Sequence, residues 1–363
     1  MILKEEEVMQ RFKNILVVVN EKTENRMVVE RAVILAQRNQ ARLTVVNTVK
    51  ELPRQTPVPD VPEPLVDIDI IEEWSPDADR PPAPELPVTL SEWLHEAEMP
   101  VNEATVVIRE NIVEGESQRL EQWVDLIRRS GVPVGGKMLC GTPFLEIIRE
   151  VLRNKHDLVM TTAEGRGGLK EKLFGSTAMQ LMRKCPCPVW VVRPTQAERY
   201  ARILAAVDPT PPDEEQYAIN IKIMDMATSL ARRQQYELLV VHTWTFPSEH
   251  SLRSGSLVAS SEVDRWVSNT QDLHRRRLTE LLAPYPLQDL KSRVYMLKGE
   301  PGNLIPMLAA RMEVGLIVMG TLSRTGVAGL FMGNTAERIL RQVDCSVLTV
   351  KPEGFATPVT LDE

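Results

Sequence analysis

The stretch Gly315-Leu316-Ile317-Val318-Met319-Gly320-Thr321-Leu322-Ser323-Arg324-Thr325-Gly326, continued by Met332-Gly333-Asn334-Thr335-Ala336-Glu337, decides how this chain folds. A short apolar run closed by a glycine, a loop of small residues and a second glycine opening an apolar-periodic segment spell buried strand, loop and helix N-terminus. Backbone N–H groups at such a helix start can face a phosphate.

The stretch occurs twice. Subtracting 158 carries Gly333 to Gly175, Thr335 to Thr177, Ala336 to Ala178, Arg324 to Arg166, Gly326 to Gly168 and Cys345 to Cys187. The same offset pairs Gly141-Thr142-Pro143 with Gly299-Glu300-Pro301. A tandem duplication follows, and 363 residues leave room for two domains, expected at residues 1–195 and 200–355.

Working outward, Phe12 to Val19 is a continuous apolar run of the kind buried on both faces of a sheet. Val28 to Asn39 repeats apolar residues at helical spacing, and Leu43 to Val49 is a second strand, so the chain opens on a βαβ unit. Helices are expected at Ser117–Arg129, Phe144–Leu152 and Phe174–Arg183, with strands near 132–139, 158–161 and 188–192. The second half repeats the series from Ile203 to Val350, and the tail from Lys351 reads as loose. Strands alternating with helices predict, in each half, a doubly wound, five-stranded, mainly parallel sheet with helices on both faces, an α/β fold.

Residues 51–100 break the pattern. Ten of the 26 prolines lie between Pro53 and Pro87, and residues 60–98 hold 12 Asp and Glu against Arg80 alone. This tract carries −11 against a net charge of −7 for the whole chain, so the remainder is weakly basic at +4. Such a tract cannot bury enough to order itself alone. The charge pattern offers no footprint for nucleic acid, and no run approaches the ~18 apolar residues needed to cross a bilayer. The first residues, Met1-Ile2-Leu3-Lys4-Glu5-Glu6-Glu7, lack an apolar signal core, so a cytoplasmic location is expected. Cys185-Pro186-Cys187 has no second ligand pair to complete a zinc site, and no metal site is expected.

In an open parallel sheet, ligands lie off the carboxyl ends of the strands. In the second half Asp208 ends the first strand, Gly320 ends the fourth, and Gly333-Asn334-Thr335 opens the last helix. A strand-end carboxylate can accept hydrogen bonds from a ribose or base, while glycines let the backbone come close. The five histidines show no metal spacing and no lysine follows the glycine loops, so no catalytic residue is assigned. His242 ends the second strand near the crevice but has Asn47 as its counterpart, which points to packing rather than acid–base work.

These residues resemble the universal stress protein family, the tandem form above all. The family's nucleotide signature is a glycine, two residues, a glycine, nine residues, then a glycine followed by Ser or Thr. Gly320 and Gly333 match its first and third glycines, with Ser323 at the second and Asn334 at the hydroxyl position. In the first half Gly165, Gly175 and Ser176 match, Thr162 replaces the first glycine, and Asn20 stands where the other half has Asp208.

The resemblance implies binding of ATP or a related adenine nucleotide with Mg²⁺. Its cofactor-binding residues would be Asp208, Gly320, Ser323, Arg324, Gly333, Asn334 and Thr335, with Asn20, Gly165, Gly175, Ser176 and Thr177 as the weaker first-half set. Glu164 beside the first loop would repel phosphate, so the second half is expected to bind. The resemblance also implies pairing of the halves through Val189–Val192 and Val347–Val350, an intrachain pseudo-dimer, with a homodimer as a further level.

The function expected is a cytoplasmic stress-response protein, small-molecule binding and regulatory rather than catalytic, acting through protein partners. One alternative is a nucleotide-using enzyme with slow phosphohydrolase or nucleotidyl-transfer activity. Another is an apolar-ligand carrier, from the methionines at 224–226 and 307–319.

Overall fold

The computed structural model describes residues 12–20, 25–49, 101–163, 174–193, 201–210, 214–247, 249–254, 258–321 and 332–361, side chains of 101–112, 215 and 216 excepted. The chain divides into two compact units, Met1–Val49 with Leu120–Glu363, and Lys50–Arg119. What is described of the second unit is the opening of helix Val101–Arg128, where Glu116 pairs with Arg119.

The first unit carries ten strands: β1 Asn14–Val19, β2 Arg42–Val49, β3 Val134–Cys140, β4 Leu158–Thr162, β5 Val189–Val192, β6 Arg202–Ala206, β7 Glu237–Trp244, β8 Ser292–Lys298, β9 Leu316–Gly320 and β10 Ser346–Val350. They form one sheet in the order β3-β2-β1-β4-β5-β10-β9-β6-β7-β8. Read inward from either edge, each half follows the same path. Every neighbouring pair is parallel except β5 with β10, which run antiparallel with Val347 opposite Val191, Leu348 opposite Trp190 and Thr349 opposite Val189.

Because successive strand residues point to opposite faces, each strand feeds two cores. Ile15, Val17, Ile203, Ala205, Leu348 and Val350 pack on one face under the helices Asn25–Asn39 and Glu214–Gln234, the end of Val101–Arg128, and Ser260–Leu282. Leu16, Val18, Leu204, Ile317 and Val347 pack on the other under Pro143–Asn154, Ser176–Lys184, Pro301–Arg311 and Asn334–Leu340. The continuous apolar strands of the sequence are thus doubly covered. Met224 and Met226 are buried in the first of these cores.

Gly141 and Gly299 keep their repeat relation in three dimensions. Their φ values of 136° and 138° lie where a side chain is strained, and each turns a strand into a helix with proline in its first turn. Helix Val101–Arg128 begins well before the expected Ser117, and a short helix Glu249–Ser254 was not anticipated.

The tail corrects a sequence expectation. Lys351 and Val359 are 4% and 7% exposed, and Arg149 Nε donates to the Thr360 carbonyl at 3.2 Å, so the described tail lies on the first half instead of hanging loose. Lys351 Nζ donates to the Arg183 carbonyl at 3.0 Å and to Thr321 Oγ1 at 2.5 Å. Burial lowers its pKa to about 7. Arg193 N donates to Ser346 Oγ and Thr349 Oγ1 to the Val189 carbonyl, lacing the antiparallel seam with polar bonds.

Candidate functional site

At the carboxyl ends of β6, β7 and β9 lies a cleft of about 640 Å³. Asp208, Gly320, Gly333, Asn334 and Thr335, which the sequence placed in one crevice, all line it. The end of β6 and the stretch from β9 to the last helix, more than a hundred residues later, bring them there. The floor is apolar, built by Ile219, Ile223, Ile305, Met319 and Ile339, and Trp244 and His274 form one wall. Ser323, Arg324, Gly165 and Glu164 lie outside the described residues.

Each end of the cleft has a local cause. Asn220, on helix Glu214–Gln234, bonds the Asp208 backbone twice, Oδ1 accepting from Asp208 N and Nδ2 donating to Asp208 O, both at 2.8 Å. Asn25 makes the same double bond to Asn20 in the first half. This asparagine clamp closes the turn after the first strand of each half. Asp208 Oδ1 in addition accepts from Thr210 Oγ1 at 3.2 Å. At the other end Gly333 N donates to the Thr321 carbonyl at 2.9 Å, fixing the start of helix Asn334–Leu340, and no side chain caps that helix. A Cβ at Gly320 would sit 3.0 Å from Ile219 Cγ2, tighter than ordinary contact, so glycine leaves room between β9 and the helix Glu214–Gln234. In the first half Gly175 caps helix Ser176–Lys184 in the same way, Ser176 is exposed and Thr177 half-buried.

His242 and His274 were not joined by sequence. His242, 1% exposed, directs Nδ1 to the Val207 carbonyl at 3.2 Å and Nε2 to His274 Nδ1 at 2.8 Å, the ring planes 26° apart and their centroids 5.0 Å apart. Thr210 Oγ1 lies 3.4 Å from the same His274 nitrogen, and the Trp244 ring 5.8 Å from the His274 ring. Burial lowers the His242 pKa to about 4 and lowers that of His274 also. Helical spacing held the missed signal: His274 stands four residues before the buried Leu278 and so shares its inward face, although Arg275-Arg276-Arg277 follows at once. At the first-half counterpart of His242, Asn47 Oδ1 turns to its own chain and accepts from Thr48 N at 2.8 Å.

Among the described residues no group of His, Cys, Asp or Glu is arranged to hold a metal ion, and no helix is long and apolar enough to cross a membrane. Cys185 and Cys187 sulfurs lie 3.5 Å apart; the hydrogen bond with Cys185 and then burial raise the Cys187 thiol, and burial raises that of Cys345 to about 12, which keeps both protonated.

A doubly wound sheet with a crevice at its strand ends and a repeated glycine-capped helix defines a doubly wound α/β protein with helices on both faces of its sheet. The sequence model of the universal stress protein family matches residues 77–193 and 199–351, and the chain belongs to that family, in its tandem form. It is 28% identical over 260 residues to universal stress protein E of Escherichia coli K12, covering 70% of this chain and 80% of the relative, and 27% identical over 209 residues to the Haemophilus influenzae homolog, covering 57% and 65%. The fold is shared with a protein of unknown function from Pseudomonas aeruginosa PAO1 (TM-score 0.63, 20% identity, 96% of both chains). A universal stress protein from Archaeoglobus fulgidus shares it too (TM-score 0.55, 14% identity, 93% of this chain and 98% of the other). Membership of the family supports a stress-response role.

Proposed function

We propose that the second half binds an adenine nucleotide in the cleft off β6, β7 and β9, and that the protein acts in the stress response as a regulatory binder rather than a catalyst. The observation that carries this is the convergence of Asp208, Gly320 and Gly333–Thr335 on one cleft of about 640 Å³, within the 300–1,000 Å³ range of small-molecule sites. Asp208 supplies an acceptor for ribose hydroxyls. Gly320 leaves backbone where a Cβ would crowd Ile219, and the uncapped start of helix Asn334–Leu340 offers N–H donors to phosphate. Mg²⁺ would take its ligands chiefly from the phosphates and water, with Asp208 and Glu300 as the lining carboxylates. Two domains at residues 1–195 and 200–355 and a cytoplasmic setting complete the proposal, with ligand occupancy altering contacts to protein partners.

Calorimetry with ATP and Mg²⁺ tests it. A charge-assisted hydrogen bond contributes roughly 1.5–3 kcal/mol, so Asp208→Ala should weaken binding about tenfold or more, whereas Gly175→Val in the first half should leave it unchanged. Equal affinity for wild type and Asp208→Ala, or loss of binding only on Gly175→Val, would overturn the assignment.

A further inference from the structure

The histidine pair on the cleft wall has a determined proton arrangement. The Val207 carbonyl can only accept, so the His242 nitrogen facing it, Nδ1, carries the proton. Burial keeps His242 neutral at pH 7, so its Nε2 is a bare lone pair, and His274 Nδ1, 2.8 Å away, must be the donor. The reverse order would set two lone pairs against each other at Val207. Thr210 agrees: its hydroxyl donates to Asp208 Oδ1 at 3.2 Å and leaves its oxygen lone pairs toward His274 Nδ1 at 3.4 Å. His274, also held neutral by burial, is thereby left with an unprotonated Nε2, which makes no hydrogen bond to a described residue. A backbone carbonyl, transmitted through His242, thus turns His274 into a pure acceptor on the wall of the cleft.

We propose that His274 is a specificity-determining residue, accepting at Nε2 a hydrogen bond from the exocyclic amine of the bound nucleobase, with His242 as the positioning residue that fixes its tautomer. This rests on the nucleotide reading above. Thr210 Oγ1 lies within 3.4 Å of both Asp208 Oδ1 and His274 Nδ1, which sets Asp208 to serve the sugar, while the Trp244 and His274 rings, tilted 30° to each other, give a planar base an aromatic surface. A base with a carbonyl in place of the amine would set lone pair against lone pair. Such a mismatch leaves two desolvated acceptors unpaired and is rejected more strongly than a missing contact. The first half has Asn47 in place of His242 and lacks this device.

The test compares ATP with ITP, which differs in bearing a 6-oxo group where ATP has its amine, by calorimetry at pH 7.5 with Mg²⁺. Wild type should prefer ATP about tenfold or more. His274→Phe, which keeps the ring against Trp244, should bind the two alike, and His242→Phe should narrow the preference because His274 is free to return to its Nε2–H tautomer. Nitrogen-15 NMR of the histidine rings in the free wild-type protein should show His274 protonated at Nδ1, and in His242→Phe a shift toward Nε2, a change that simple loss of packing would not produce. Binding of ATP and ITP with equal affinity, a preference that survives His274→Phe, or a proton on His274 Nε2 in wild type would each overturn this proposal while leaving nucleotide binding standing. Failure of either nucleotide to bind wild type would overturn both.

Discussion

At the scale of single residues, the cleft is shaped by groups whose usual charge is suppressed. His242 is neutral because burial outweighs its hydrogen bond to Val207, and its pKa falls to about 4 against about 6.5 in an unfolded chain. Between those values the unfolded chain binds the proton and the folded one does not, so stability falls as the pH drops through that window and is fully present above it. The loss attributable to this residue is on the order of 1–3 kcal/mol. Urea titrations at pH 7 and pH 4.5 should show the decline, and His242→Asn, the residue found at the first-half position, should flatten it. An unchanged slope in the variant would assign the effect to another group. Asn25 and Asn220 show the complementary case of neutral side chains that hold a turn through two backbone bonds each, at 5 and 12 residues past the Asn20 and Asp208 they bond. Their unequal spacing kept the pair hidden in the sequence.

At the scale of elements, the seam and the tail matter most. The last strand of each half would be an apolar edge if left bare, and the antiparallel pairing of β5 with β10 removes both edges at once. The tail then crosses from β10 to the helix Pro143–Asn154, burying Val359 in the core beneath it. Full burial of a valine contributes about 1.5 kcal/mol or more, and in a domain of this size 1 kcal/mol moves Tm by about 2–4 °C. Truncation after Pro352 should therefore lower Tm by several degrees in a thermal scan, with the sheet otherwise intact by circular dichroism. A Tm within one degree of the full chain would mean that the tail contributes nothing.

At the scale of the whole molecule, one continuous sheet joins both halves, and the two cores run along its two faces without a break at the seam. The sheet-bearing unit should unfold as one body, with calorimetric and van't Hoff enthalpies in agreement. Leu348→Asp, placing a charge at a fully buried position opposite Trp190, should split the transition or cost at least 3 kcal/mol. Two separate transitions of the sheet-bearing unit in the wild-type protein would refute the single-body description.

The repeat at a fixed offset and the apolar strand runs determined, without any coordinates, the α/β class and the alternation of strand and helix. Both are local properties: Gly141 and Gly299 are needed for their own φ, and Ile15 to Val19 are apolar because both faces of a strand are covered. Asp208, Gly320 and Gly333 were legible as site residues because strand ends and helix starts are themselves local signals. The tertiary structure alone decided what depends on distance between segments. It brought His242 and His274, 32 residues apart, to 2.8 Å, and carried the tail 211 residues back from Thr360 to Arg149. Hydrogen bonds and packing of this kind are set by where the chain returns in space, and no spacing along the sequence encodes that return.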